Sequence, residues 1–161
     1  LNLEFVEFNK FFERIIDRFE MSKSQNVQFI RLLPKESYFV EIDPDKLTQV
    51  IDNIISNAIK YSPDGGNIRF GFTLTDNMLK VMVSDEGMGI PKENLTRIFD
   101  RFYRVDRARA RSMGGTGLGL AIAKEMIQAH GGEIWAESEE GVGTTIFFTL
   151  PFNELEEGDW E

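Results

Sequence analysis

The chain has 161 residues, 42% of them hydrophobic, and a net charge of -9 from 27 acidic and 18 basic side chains. That length and apolar share suit one soluble domain with a short appendage, and the acidic balance argues against a general nucleic-acid binder, which needs a basic stripe. With no cysteine and a single histidine, His130, the chain cannot hold a disulfide scaffold, a thiolate or multi-histidine metal site, or a cysteine nucleophile.

The opening Leu1-Asn2-Leu3-Glu4 lacks a basic region followed by an apolar stretch, and no run of 18 apolar residues follows anywhere. Because the first residue is not methionine, a fragment of a longer protein is expected. Phe5, Phe8, Phe12, Ile15, Ile16 and Phe19 recur at three- and four-residue steps and predict a leading helix over 5–20, within a segment 1–22. Val27 to Leu32 and Tyr38 to Ile42 read as short strands with Pro34 in the turn between them. Asp43-Pro44 opens a helix, Asp43 as N-cap and Pro44 at its first position, with Leu47, Val50, Ile51, Ile54, Ile55, Ala58 and Ile59 as its apolar face. It stops near Ser62-Pro63-Asp64-Gly65-Gly66.

Strict alternation in Ile68, Phe70, Phe72 and Leu74, then in Leu79, Val81 and Val83, predicts a hairpin turning at Thr75-Asp76-Asn77. A short helix is expected over Glu93 to Phe99. Residues from about 100 to 117 have no clear period, and a loop that long suggests a lid. Thr116 to Ala129 reads as a helix ended by Gly131-Gly132, and Ile134 to Glu137 and Thr144 to Leu150 as the last strands. The expected fold is a two-layer α/β sandwich: a mixed sheet of five to six strands with three main helices on one face. The globular part runs over 23–152, followed by an acidic tail over 153–161.

Four islands break local rules, which is where functional sites are expected. The first places Asn53, Asn57 and Lys60 on one helix face, a stripe that suits an oxygen-coordinated Mg²⁺ with phosphate and equally reads as a solvated face. The second, Asp85-Glu86-Gly87-Met88-Gly89-Ile90, follows a strand. Its carboxylate can accept from an amino group such as that of a purine, and its glycines permit close backbone approach; a capped glycine turn is the plainer alternative. The third, Phe99-Asp100-Arg101-Phe102-Tyr103-Arg104, could clamp a lid while an arginine reaches a phosphate, or form a solvated loop with two aromatic anchors. The fourth, Gly114-Gly115-Thr116-Gly117-Leu118-Gly119-Leu120, runs into a helix and offers free amides to phosphate. It matches neither a Walker loop nor the dinucleotide fingerprint, because no Gly-Lys-Ser/Thr follows and Leu120 stands where a third glycine belongs.

In this order and spacing the islands resemble the N, G1, F and G2 boxes of sensor histidine kinases, part of the GHKL superfamily that also holds DNA gyrase and MutL. The resemblance spans roughly residues 40 to 150. Phe99-x-x-Phe102-Tyr103-Arg104 looks like the histidine kinase branch, and Gly114 to Gly132, with Gln128-Ala129-His130-Gly131-Gly132, is similar to the cell-wall-regulating kinases of low-GC Gram-positive bacteria.

The resemblance implies a Bergerat-type fold binding ATP and Mg²⁺. Asn57, with Asn53 second, would coordinate the metal; Lys60 would contact a phosphate and Tyr61 pack near ribose or phosphates. Asp85 would accept the adenine amino group, with Gly87, Gly89 and Ile90 in the same loop and Gly89 allowing close approach of the base. Arg104 would approach the γ-phosphate, and Asn57 and Arg104 would form the catalytic pair. Gly115, Gly117, Leu118, Gly119 and Leu120 would hold the phosphates, and Thr144 would close the adenine pocket.

The family's phosphoacceptor box is absent. His130 lies in His-Gly-Gly at a helix end, where it reads as a cap interacting favourably with the helix dipole. The resemblance therefore implies a catalytic half acting on a histidine of a separate dimerisation domain. Its partners would be that domain and a response regulator. The fragment would be monomeric, the full-length kinase a homodimer, and this part the cytoplasmic portion of a membrane-bound sensor. A nucleotide-regulated module without transfer activity and a serine kinase of the same superfamily are the competing readings. On an acidic surface, ATP binding would rest on local donors: Lys60, Arg104, glycine amides and a metal.

Overall fold

The computed structural model describes residues 1–24, 26–101 and 119–152. The predicted lid from residue 102 onward, the first turn of the predicted helix after it, and the tail over 153–161 lie outside the described residues.

The chain begins with a strand, β1 (Glu4–Glu7), and only then enters helix α1 (Phe8–Glu20). This corrects the predicted start of the leading helix. Phe5 fits a helical stripe on spacing alone, yet it is exposed, and Glu4–Glu7 pairs antiparallel with β3 (Phe39–Ile42). Phe8, Phe12, Ile15 and Ile16 keep the predicted inward face. β2 (Val27–Leu32) forms as expected, but its neighbour is not β3. It pairs parallel with β4 (Gly66–Thr75), so the segments on either side of Pro34 belong to different sheets.

Helix α2 (Pro44–Lys60) starts where its sequence dictates. The Asp43 carboxylate accepts from the Lys46 amide at 3.1 Å, and Pro44 occupies a first-turn position that needs no N–H donor. The hairpin of β4 and β5 (Met78–Asp85) turns through Asp76 and Asn77, both at positive φ (50° and 62°), the geometry of a two-residue turn that follows the strand twist. Where a helix over Glu93 to Phe99 was expected, only a 3-10 turn forms (Lys92–Asn94). The backbone then continues in i→i+3 bonds, a winding that buries Ile98 but no continuous stripe. Helix α3 (Gly119–Ala129) leads to β6 (Ile134–Glu139) and β7 (Gly143–Pro151).

The five-stranded sheet runs β2-β4-β5-β7-β6, all neighbours antiparallel except β2 and β4. The described helices bury their apolar residues in one core against one face. Phe8 meets Phe72 edge-on at 5.1 Å, Phe12 meets Phe70 at 6.1 Å, and Ala123 and Ile127 of α3 join Ile54, Val83 and Phe148 in the same cluster. On the other face Lys80 lies over the stacked rings of Trp135 and Phe147, 5.4 Å and 4.7 Å from their centroids.

Register is what positions the site. Ile68 pairs with Asp85, Asp85 with Thr144, and Thr144 with Ser138, one lateral row across four strands. Side chains along a strand alternate between faces, so the buried Val81, Val83, Ile146 and Phe148 place Asp85 and Thr144 on the core face with them. At this end the apolar layer gives way to a polar floor.

Candidate functional site

Asp85 ends β5 with its carboxylate half held. Its Oδ1 accepts from the Gly87 amide at 2.9 Å and from the Thr144 amide at 3.2 Å, while Oδ2 has no partner among the described residues. Burial pushes its carboxyl up to about 6 from an ordinary 3.8, outweighing the two amides, which pull it down. No basic side chain is among the causes of the shift. A buried carboxylate fixed on one oxygen and open on the other is suited to accept from a neutral N–H donor.

The loop after Asp85 is a strap threaded between α2 and the β6-β7 turn. The Met88 amide donates to the Tyr61 carbonyl at 3.0 Å, the Gly141 amide to the Met88 carbonyl at 2.7 Å, and the Ile90 amide to Ser138 Oγ at 2.7 Å. A Cβ on Gly87 would stand 2.0 Å from the Tyr61 carbonyl oxygen, and one on Gly89, at φ +70°, would stand 2.2 Å from that of Glu139. The close approach these glycines permit in the structure is therefore to the chain's own backbone. Glu86 is anchored to the Asn67 amide and the Arg69 guanidinium, both at 3.0 Å, which hold its carboxyl below the usual range.

On α2, Asn57 and Lys60 lie half-buried at the margin of the aliphatic face, without a side-chain partner among the described residues. Asn53 differs: its Nδ2 donates to the Gly119 carbonyl at 3.1 Å, tying α2 to the first residue of α3. Gly119 and Leu120 thus stand beside the amide stripe, with Leu120 packed against the core. The structure brings Asp85, Gly87, Gly89, Ile90 and Thr144 together around the strap and joins them to α2 through Tyr61. Arg104, Gly115, Gly117 and Leu118 lie outside the described residues. No cluster of three or more His, Cys, Asp or Glu able to hold a metal exists among the described residues. The amide oxygens of Asn53 and Asn57 on α2 are hard neutral donors of the kind that suits Mg²⁺.

Ser138 was not anticipated. The expected strand ended at Glu137, one residue short of it, although Ile134 and Ala136 already set the inward parity that Ser138 continues. A serine at an inward position was the available signal. His130 is structural, as its sequence context suggests, but by a different bond. Its Nε2 accepts from the Asp43 amide at 3.1 Å and its Nδ1 donates to the Met126 carbonyl at 2.8 Å, so the ring is the neutral Nδ1–H tautomer rather than a cation facing the helix dipole.

A mixed sheet ending on a half-buried, half-held carboxylate, with a glycine strap and an amide-bearing helix edge beside it, is an α/β arrangement suited to a nucleotide. Residues 42–154 match the family of histidine kinase-, DNA gyrase B- and HSP90-like ATPases, and the chain belongs to it. Within that family it is similar to sensor histidine kinases. It is 60% identical to the sensor histidine kinase WalK of Bacillus subtilis (strain 168) over 162 residues, 99% of this chain and 26% of that protein. It is 52% identical to the sensor protein kinase WalK of Staphylococcus aureus over 163 residues, all of this chain and 39% of that protein. The chain therefore spans well under half the length of these relatives. Among solved structures it matches a mycobacterial sensor histidine kinase, MprB, with TM-score 0.80 at 28% identity, covering 94% of this chain and 99% of that one. The catalytic domain of histidine kinase ThkA matches with TM-score 0.81 at 29% identity, 94% of this chain and 96% of that one. Full-length ShkA, solved in complex with AMPPNP, shares the fold with TM-score 0.83 at 24% identity, over 96% of this chain and 32% of that one. The chain is thus a domain of this ATPase family, similar to the catalytic domains of sensor histidine kinases, and it has the predicted α/β fold.

Proposed function

We propose that this domain binds Mg·ATP between α2 and the strap and presents the γ-phosphate to a histidine on a separate dimerisation domain of the same kinase. The observation that carries the reading is the open Oδ2 of the half-buried Asp85, beside Thr144 at the end of the sheet. It matches an exocyclic amino group, and the base would lie on the polar floor with its phosphates directed along α2 toward the start of α3. Asn57 would offer its amide oxygen to the metal, with Asn53 second, since its bond to the Gly119 carbonyl engages Nδ2 and leaves Oδ1 open. Lys60 would meet a phosphate and Tyr61 pack beside the sugar. Gly119 and Leu120, with Gly115, Gly117 and Leu118 preceding them, would cradle the phosphates, and Arg104 would approach the γ-phosphate.

Asn57, with Asn53 second, would hold the Mg²⁺, which would supply positive charge to offset that of the phosphates. The chain's own residues position the nucleotide and exclude water. The proton of the accepting histidine leaves to a base outside this chain. The AMPPNP bound by ShkA is consistent with nucleotide occupancy of this fold. We further propose that the whole protein is a homodimeric, membrane-bound sensor of the cell-wall-regulating type, with this domain on the cytoplasmic side and a response regulator downstream. No described helix is long and apolar enough to cross a membrane.

The test is calorimetry of Mg·ATP binding to the wild type, Asn57→Asp and Asp85→Asn, with circular dichroism confirming the fold. Loss of binding in both variants is expected; unchanged affinity in both overturns the site. Mixing the domain with a separately produced dimerisation domain should place label on the latter's histidine.

A further inference from the structure

We infer that Ser138 is a positioning residue that fixes the Thr144 hydroxyl as a hydrogen-bond acceptor, making the floor of the pocket selective for a base with an exocyclic amino group. The inference rests on the nucleotide reading above and goes beyond it, since it assigns base selectivity to a residue that no base touches.

It follows from counting protons. Among the described residues Ser138 Oγ has three hydrogen-bond partners: the Ile90 amide at 2.7 Å, the Gly143 carbonyl at 2.9 Å and Thr144 Oγ1 at 2.8 Å. The Ile90 amide can only donate and the Gly143 carbonyl can only accept, so the single serine proton goes to Gly143. The bond between the two hydroxyls must then use the proton of Thr144. That hydroxyl is thereby turned toward Ser138 and keeps only lone pairs for anything else.

The Thr144 amide is also committed, to Asp85 Oδ1, so Asp85 Oδ2 and Thr144 Oγ1 stand on adjacent strands as two acceptors that no donor among the described residues joins. An amino group supplies the protons such a pair lacks. A ring carbonyl at the same position would face two acceptors and be repelled. Ser138 also holds the strap through Ile90, so a purely structural role would weaken every nucleotide alike. Selectivity separates the two roles.

The experiment compares the affinities of the Mg complexes of ATP and inosine triphosphate, which carries a carbonyl oxygen on the ring in place of the amino group. The wild type should prefer ATP strongly. Ser138→Ala frees the Thr144 hydroxyl to rotate and donate to that carbonyl oxygen, so the ATP-to-ITP ratio should fall about fivefold or more. Ser138→Cys, close in size with a much weaker acceptor, should lower the ratio in the same direction and serves if the alanine variant does not fold. Ser138→Thr keeps the hydroxyl and should retain the wild-type ratio. Thr144→Val should reduce the ratio as Ser138→Ala does, and the double variant should reduce it no further. An unchanged ratio in Ser138→Ala and Ser138→Cys, with both nucleotides weakened together, overturns the inference while leaving the nucleotide reading intact. A wild type that binds ATP and ITP equally does the same, and one that binds neither overturns both.

Discussion

Asp85 pulls stability and binding in opposite directions as pH changes. Its carboxyl, raised to about 6 by burial, binds its proton more tightly in the folded chain than in the unfolded one. Its contribution to stability is therefore fully present below about pH 4 and is lost as pH rises through 6, by on the order of 2–3 kcal/mol. Urea denaturation of the domain without nucleotide should show this loss between pH 4.5 and 7.5, and Asp85→Asn should remove it. Nucleotide affinity should move the other way, because protonation turns Oδ2 from an acceptor into a donor facing an amino group. Asp85 was legible in the sequence because strand alternation ends on a carboxylate just before two glycines. Ser138 was not, because its significance lies in the partners its hydroxyl acquires, one of which is an amide from a loop 48 residues earlier in the chain.

The strap and the helix junction show what elements hold in common. Gly89 and Gly141 both have positive φ, but a Cβ on Gly89 meets the Glu139 carbonyl oxygen at 2.2 Å, whereas one on Gly141 meets nothing within 4 Å. Gly141→Ala should cost about 1 kcal/mol, the strain of φ alone, and Gly89→Ala about 3 kcal/mol or more with loss of nucleotide binding; thermal melts of both variants measure the contrast. At the other end of the molecule, His130 joins the end of α3 to the start of α2. His130→Ala leaves the Asp43 amide without its partner and should lower stability by about 1–3 kcal/mol in chemical denaturation. Phosphoryl transfer to an added dimerisation domain should persist in that variant, because this ring is not an acceptor in the reaction. The limits of α2 could be read from Asp43-Pro44 and the apolar period. Those of β1 could not, since Phe5 satisfies a helical spacing and only its partner, Phe39–Ile42, makes it a strand.

The whole domain has one apolar layer and one polar end, and the motifs are distant in sequence because four strands must be laid side by side to make that end. Alternation gave each strand its inward face but was silent on order: nothing in the local pattern says that β7 lies between β5 and β6, or that β2 runs parallel to β4. The family resemblance supplied what periodicity lacked, which is why Thr144 could be grouped with Asp85 before the sheet was known.

The position of β7 has a consequence for how the molecule comes into being. β7 is the last of the described strands in chain order and an inner strand of the sheet, and it brings Thr144 to Asp85. While a ribosome is still short of residue 143, β5 has an open edge, and the Asp85 carboxylate lacks one of the two amides that hold it. The nascent chain can therefore assemble α1, α2 and the first hairpin, but it has no finished floor on which to seat a base. Nucleotide cannot act as a template for folding the first half; it can only select chains that are already complete.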